Sequence, residues 1–334
     1  MQTDLIKWFD NHQRFLPWRS TKDPYAIWLS EIILQQTRID QGLEYWEKFL
    51  KKFPTVKSLS KAKESEILAL WSGLGYYSRA RNIYKTAHIV VSKFQSEFPK
   101  TSSELLKFPG IGPYTAAAIS SICYGEVSPA LDGNALRVYS RLFAISSPIE
   151  KKTTIKEIWA LALPLLSKKR PGDSNQAIMD IGSTICKPRK PNCPACPFKE
   201  KCISRKFGNQ NDFPVKLKSI KIKEVDKFYV FLSKNDKYGF ILRPKTGIWG
   251  GLWTPLELNF EDWELAKKNN NIQEINIKYK KHLLTHRKMN LYFSDWTGEL
   301  YPKNEEIQWF SNQDLKRLAF PAPILKILSE KSYI

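Results

Sequence analysis

Apolar residues recur at helical spacing through most of the first 205 residues. The stretches 27–37, 43–53, 64–71, 80–94, 136–143 and 155–166 carry the pattern most clearly and predict a mostly α N-terminal domain. Start signals agree with it. Asp23-Pro24 is an N-cap followed by a proline at the first helical position, and Thr101-x-x-Glu104 has the form of a capping box. Between residues 102 and 123 the pattern reads as a short helix over 103–108, a break at Pro109-Gly110-Ile111-Gly112-Pro113, and a second helix over 114–123. Ala116, Ala117 and Ala118 would let that second helix pack closely.

Beyond residue 224 the period shortens. Phe228-Tyr229-Val230-Phe231-Leu232 and Tyr238-Gly239-Phe240-Ile241-Leu242 are strand-like runs around a polar turn, which predicts a hairpin. Further strands are expected near 275–279, 289–296 and 307–310, and helices over 260–268, 312–317 and 322–329. The second domain is therefore α+β. Residues 199–224 hold eight Lys/Arg against three Asp/Glu. The part from 207 to 224 reads as a basic linker, which sets the domains at 1–206 and 225–334.

Charge changes the picture next. The 334 residues carry 53 Lys+Arg and 33 Asp+Glu, a formal charge of +20. That excess favours a polyanionic partner, most often nucleic acid, with an anionic membrane surface as the alternative. No apolar run approaches the ~20 residues of a spanning helix. No secretory signal or prenylation tail is seen, so the chain is expected in a reducing cytoplasm. With 42% hydrophobic and 13% aromatic residues it is globular rather than a disordered basic tail.

Cys186, Cys193, Cys196 and Cys202 lie within 17 residues, with six, two and five residues between them, and Cys123 stands far upstream. Two disulfides are one use of such a cluster, but oxidised frameworks belong mostly to small secreted domains. The alternative is one metal centre. Zinc ribbons usually pair two Cys-x-x-Cys knuckles, and only Cys193-Pro194-Ala195-Cys196 is present here. Four thiolates suit zinc or an iron–sulfur cluster on this ground alone. Lys187, Arg189, Lys190, Lys199 and Lys201 interleave with the thiols, as a phosphate-contacting element would require or as any solvated basic loop would show.

Two acids stand out. Glu31 sits in the apolar run Trp28-Leu29-Ser30-Glu31-Ile32-Ile33-Leu34, two turns past the helix start. An acid there should have a raised pKa and suits a general acid, or is a buried Glu paired with an arginine. Asp132 follows Pro129-Ala130-Leu131 and precedes Gly133-Asn134, so it is either a helix N-cap or a second, ionised carboxylate. A neutral acid beside an ionised one is how glycosidic bonds are cleaved. The glycines at 110 and 112 would let backbone N–H groups approach a phosphate, or make an ordinary interhelical turn.

These residues carry a family resemblance. Leu16-Pro17-Trp18-Arg19, Trp28-Leu29-Ser30-Glu31, Leu34-Gln35-Gln36-Thr37, Gly73-Leu74-Gly75-Tyr76-Tyr77, the hairpin 109–113, Leu131-Asp132-Gly133-Asn134 and the cysteine spacing resemble the MutY-type adenine glycosylases of the helix–hairpin–helix DNA glycosylase superfamily. The resemblance implies excision of adenine mispaired with 8-oxoguanine or guanine in double-stranded DNA, by a monomer carrying a [4Fe–4S] cluster on the four cysteines. It makes Glu31 the acid that protonates adenine at N7 and Asp132 the carboxylate that stabilises the sugar cation, with Asn134 and Tyr114 beside it. Tyr114 stands where the endonuclease III branch has a lysine, which implies hydrolysis without strand cleavage. That branch, acting on oxidised pyrimidines or mismatched thymine, is the alternative.

By the same resemblance Arg14, Trp18, Leu34 and Gln176 line the adenine pocket, Gln36 and Tyr76 enter the base stack, and Gly110 and Gly112 meet phosphates. Residues 225–334 resemble a Nudix-like domain, anchored at Gly247-Ile248-Trp249-Gly250-Gly251-Leu252-Trp253, without the glutamate-rich box of active Nudix hydrolases. Leu284-Thr285-His286 matches the family's Phe-Ser-His sensor of 8-oxoguanine, with leucine in place of phenylalanine.

Overall fold

The computed structural model describes residues 1–217, 222–269, 271–284, 287–297 and 306–334. They group into two compact units, one of residues 1–61 and 82–218, the other of 62–81 with 219–334.

The first unit is helical. Helix Pro24–Ile33 begins where its sequence signals place it: Asp23 accepts from the Tyr25 N–H at 3.0 Å, and Pro24 fills the position where a missing N–H costs nothing. It ends before residue 37, because the chain turns after Leu34 and Gln36 takes a φ of 58°. Eight of its ten residues are buried, so this is a core helix with little solvent-facing surface. Helices Ile39–Lys52, Gly133–Phe143 and Lys152–Ala162 follow the periodicity closely. The hairpin's first helix is shorter than 103–108. Only Ser102–Leu105 is α-helical, and the Lys107 and Phe108 N–H groups then close tighter turns onto the Glu104 and Leu105 carbonyls at 3.1 Å.

Helix Pro171–Asp180, which the periodicity did not single out, lies against helix Pro113–Tyr124. Gly172 permits the approach: a Cβ there would lie 2.7 Å from the Ile122 Cα. One core of this unit gathers Leu5, Phe9, Val138, Tyr139, Ile158 and Ile178, and a smaller cluster sets Ala117, Ala118 and Ala130 against Tyr114 and Met179. Residues 207–217, expected as linker, are held by this unit. Phe213 is buried, Arg141 donates to the Gln210 and Phe213 carbonyls at 2.8 and 3.2 Å, and the Ile149 N–H reaches the Val215 carbonyl at 3.1 Å.

The second unit is built on a mixed sheet of β1 (Lys223–Lys234), β2 (Lys237–Leu242), β3 (Trp253–Thr254), β4 (Leu256–Leu258), β5 (Lys278–Leu284), β6 (Arg287–Asp295) and β7 (Gln308–Phe310). The strand order is β3-β2-β1-β6-β5, with β4 on β1 and β7 on β2. β1 and β6 run parallel, and the other pairs are antiparallel. Tyr229 and Phe231 face a core closed by Ile324, Ile327 and Leu328 of helix Ala322–Glu330. Val230 and Leu232 face one closed by Trp263 and Ala266 of helix Phe260–Lys268. A strand covered on both faces must be apolar without alternation, and β1 is so over residues 228–232. The strand expected at 275–279 starts only at Lys278, because Glu274–Asn276 is a 3-10 turn.

Candidate active site

A cavity of about 430 Å³ in the first unit is lined by residues of the 3-10 turn Pro17–Arg19, of helices Pro24–Ile33, Ile39–Lys52, Pro113–Tyr124 and Pro171–Asp180, and of the N-terminus of helix Gly133–Phe143. Glu31 and Asp132 both line it. Glu31 projects from a helix buried on nearly every side, and that desolvation pushes its pKa up to about 7. The hydrogen bond with the Tyr114 hydroxyl opposes the rise, the charge of Asp132 adds to it, and Arg19 opposes it weakly. The same burial, with Glu31 and Asp132 nearby, holds the Tyr114 phenol well above its ordinary range. Met179 Sδ, 3.7 Å from the Tyr114 hydroxyl, is a second acceptor within its reach.

Asp132 is a helix N-cap, and it also lines the cavity. Oδ1 caps the helix by accepting from the Ala135 N–H at 2.7 Å, Oδ2 accepts from Asn134 Nδ2 at 2.9 Å, and the carboxylate still lines the cavity. Asn134 is held in turn, since Arg137 Nη2 donates to its Oδ1 at 2.9 Å. The same guanidinium donates to the Gly182 carbonyl at 2.6 Å and, through Nε, to the Cys186 carbonyl at 2.8 Å. A continuous set of hydrogen bonds therefore runs from Asp132 to the backbone of Cys186. It is made possible by a π-helical turn at Ile181–Ile185 and by Gly182, where a Cβ would lie 2.6 Å from the Asn134 Cβ.

Arg14 and Arg19, which line the cavity, are held by a buried carboxylate. Asp180 is fully buried and accepts from Arg14 Nε at 2.7 Å and from both terminal nitrogens of Arg19 at 2.7 and 2.9 Å. Both guanidiniums donate to the one carboxylate, and removing Asp180 would leave both charges without that partner. Arg14, Trp18, Leu34 and Gln176 line the cavity, as does Gln36, exposed at its left-handed turn. Trp18 is buried edge-on to Trp46 at 5.7 Å.

Sequence reasoning did not assign Arg19, Met179, Asp180 or Arg137 to the site. Asp180 carries the same signal as Glu31, a single acid in the apolar run Ile178-Met179-Asp180-Ile181. The role of Arg137 depends on a turn geometry that spacing does not encode.

The hairpin places Gly110 at φ +78°, close to Asn82, and Gly112 as N-cap of helix Pro113–Tyr124 with open space above it. Tyr76 belongs to the second unit, at φ 49° and 45% exposed. Leu284 ends β5 and packs on the core beside Tyr229 and Phe231. Thr285 and His286 lie outside the described residues.

Cys186, Cys193, Cys196 and Cys202 surround one small cavity of about 30 Å³, and Cys186, Cys196 and Cys202 pack on the core that holds Leu5, Phe9 and Tyr139. Arg141 Nη1 donates to the Cys186 sulfur at 3.3 Å and Gln210 Nε2 to the Cys193 sulfur at 3.6 Å. Burial pushes the Cys196 thiol up to about 12, and Cys202 rises for the same reason. Among the described residues no three His, Cys, Asp or Glu side chains converge tightly enough for one metal ion. The donor set is a ring of four thiols with hydrogen bonds aimed at two of the sulfurs. Four thiols around one cavity are a donor set that a thiolate-ligated metal centre could use.

Residues 29–163 match the profile of the HhH-GPD superfamily base excision DNA repair proteins, and residues 228–330 that of the NUDIX domain. The chain is 35% identical to the adenine DNA glycosylase of Buchnera aphidicola subsp. Schizaphis graminum, over 97% of this chain and 96% of that protein. It is 38% identical to the Homo sapiens adenine DNA glycosylase, over 62% of this chain and 39% of that protein. Among solved structures it resembles a thermostable thymine-DNA glycosylase, with a TM-score of 0.57 and 29% identity over 62% of this chain and 95% of that one. A non-covalent endonuclease III–DNA complex shares the fold, with a TM-score of 0.53 and 22% identity over 62% of this chain and 94% of that one.

Proposed function

The chain belongs to the adenine DNA glycosylases of the HhH-GPD base-excision repair superfamily, and on that premise we propose how its residues divide the work. It is a DNA repair enzyme that hydrolyses the N-glycosidic bond of adenine. The observation that carries the assignment of roles is Glu31, an acid with a pKa of about 7 that shares one cavity with Asp132.

The flipped adenine enters the cavity between Trp18 and Leu34, with Gln176 and Arg14 on its polar edge. Protonated Glu31 gives its proton to N7. The C1′–N9 electron pair leaves with the base, and Asp132 lies where the cation at C1′ forms. Water adds at C1′ and an abasic site remains. Tyr114 has no amine with which to attack C1′, so the strand stays intact and the enzyme is monofunctional. Asn134 and Arg137 fix the Asp132 carboxylate, and Gly110 and Gly112 present N–H groups to the DNA backbone.

The substrate is duplex DNA with adenine opposite 8-oxoguanine or guanine, bound by a monomer. The four cysteines would hold a [4Fe–4S] cluster, whose contribution when bound is to brace the basic loop 187–201. Glycoside hydrolysis is not a redox reaction and asks no electron transfer of the cluster.

The test is single-turnover excision on duplexes with adenine opposite 8-oxoguanine, guanine or thymine, with and without alkali. Alkali-dependent cleavage, fastest opposite 8-oxoguanine, is expected. Cleavage without alkali would overturn the monofunctional mechanism, and equal rates opposite all three bases would overturn the mispair assignment.

A further inference from the structure

Residues 62–81 fall inside the stretch that matches the glycosylase profile, yet they form one compact unit with the Nudix-like sheet. The loop at the centre of this segment is Gly73-Leu74-Gly75-Tyr76. It is wound left-handed at three positions, with φ of 97° at Gly73, 71° at Gly75 and 49° at Tyr76. A left-handed tyrosine is strained and persists only where its surroundings hold it. Part of the brace is internal. The Trp71 indole N–H donates to the Gly75 carbonyl at 3.0 Å, and Arg79 donates to the Leu74 and Gly75 carbonyls at 3.3 and 3.2 Å. The Arg79 guanidinium also lies over the Trp71 and Tyr76 rings, at 4.9 and 5.7 Å.

The rest of the brace comes from the C-terminal sequence. The buried Tyr77 hydroxyl donates to the Phe320 carbonyl at 2.5 Å and accepts from the Gly73 N–H at 3.3 Å, so one oxygen joins the loop to residue 320. Phe320 is itself fixed. Its ring is fully buried edge-on to Phe240, and the neighbouring Ala319 carbonyl accepts from the Trp253 N–H at 3.0 Å. On the other side Arg81 donates to the Gly250 carbonyl and pairs with Glu64 at 3.5 Å. Gly251 leaves room for that contact: a Cβ there would lie 2.8 Å from Arg81 Nη2, and its φ of +67° suits glycine.

We propose that the C-terminal module positions the side chain that enters the DNA stack: Tyr77 and Arg81 are positioning residues through which Phe320 and the turn at Gly250-Gly251 hold Tyr76 on its strained loop. The proposal rests on the reading of Tyr76 as a wedge. It gives the Nudix-like module a mechanical part in opening the duplex, besides any part in reading the base opposite adenine. Tyr77 and Arg81 touch no DNA in this role and act only through Tyr76.

The test uses the full chain and a double-mutant cycle. Single-turnover excision of adenine opposite 8-oxoguanine is measured for wild type, Tyr76→Ala, Tyr77→Phe, Arg81→Met and Tyr76→Ala with Arg81→Met. A 2-aminopurine next to the mispair reports unstacking by its fluorescence. Losing one such hydrogen bond should slow excision roughly three- to tenfold and lower the fluorescence rise in parallel. In the Tyr76→Ala background Arg81→Met should add nothing, and Arg81→Lys should recover part of the rate. Tyr77→Phe removes only the hydroxyl and serves if Arg81→Met folds poorly by circular dichroism. If Arg81→Met slows the Tyr76→Ala protein as much as wild type, the proposal fails while the wedge reading stands. If Tyr76→Ala changes neither rate nor fluorescence, the wedge reading fails and takes the proposal with it.

Discussion

Glu31 ties the chemistry to the titration of one side chain. Its proton is needed on adenine, so the rate should follow the protonated fraction. Single-turnover excision is expected to fall as pH rises through about 7, approaching a tenfold loss per pH unit well above that. Glu31→Gln cannot donate the proton and should lose excision by about two orders of magnitude or more while still binding DNA. Undiminished excision by that variant would falsify the general-acid role. Stability titrates with the same group. An acid whose pKa is raised by folding holds its proton more tightly folded than unfolded. Its contribution is complete below the ordinary carboxylate range and is lost as pH rises toward about 7. The melting temperature of Glu31→Gln should therefore gain on wild type between roughly pH 5 and pH 8. A constant difference across that range would show that Glu31 is not desolvated. Asp180 makes a contrasting case. It is buried but paired with Arg14 and Arg19, and Asp180→Ala should cost about 3–5 kcal/mol, read as a lower denaturation midpoint, by stranding two cations.

At the scale of elements, what the sequence revealed and what it hid have separate physical causes. Helix Pro24–Ile33 was legible because its cap, its first-turn proline and its apolar run agree, and β1 because a strand covered on both faces needs an unbroken run of large apolar residues. The cavity acids were legible because an ionisable group in an apolar run is costly enough to demand a reason. Three features were not. The π-helical turn at Ile181–Ile185 comes from a local hydrogen-bond shift, the short strands β3 and β4 are specified by their partners, and the grouping of 62–81 with the C-terminal sheet joins residues far apart in sequence, as when Tyr77 and Arg81 donate to the Phe320 and Gly250 carbonyls. The turn supports a prediction. Gly182→Ala would press a methyl against Asn134, displacing the start of helix Gly133–Phe143 that Asp132 caps. A loss of about 1–3 kcal/mol of stability is expected, together with slower single-turnover excision at unchanged DNA affinity. Excision at the wild-type rate would show that the helix start accommodates the methyl. The cysteine ring supports another. Cys196→Ser should lose both iron and visible absorbance and bind DNA more weakly, because loop 187–201 loses its closure. Full iron content in that variant would exclude Cys196 as a ligand.

Over the whole molecule, the +20 charge acts on DNA in a way that no single residue determines. Phosphate contacts release condensed counterions, so affinity should fall linearly on a log–log plot against salt. If the enzyme covers six to ten phosphates, the loss is about 10³- to 10⁵-fold between 50 and 200 mM salt. That attraction does not distinguish substrate from product, since an abasic strand keeps every phosphate. Release of the abasic product should therefore be slow and should quicken with salt, whereas the chemical step, set by Glu31 and Asp132 within one cavity, should respond little once the enzyme saturates the DNA. The two are separated by running excision under single-turnover and multiple-turnover conditions across the same salt series. The expected outcome is a nearly flat single-turnover rate and a steady-state rate that climbs until binding itself fails. A steady-state rate that falls from the lowest salt onward would mean that contacts to the base or to the abasic sugar, rather than the charge of the whole chain, hold the product.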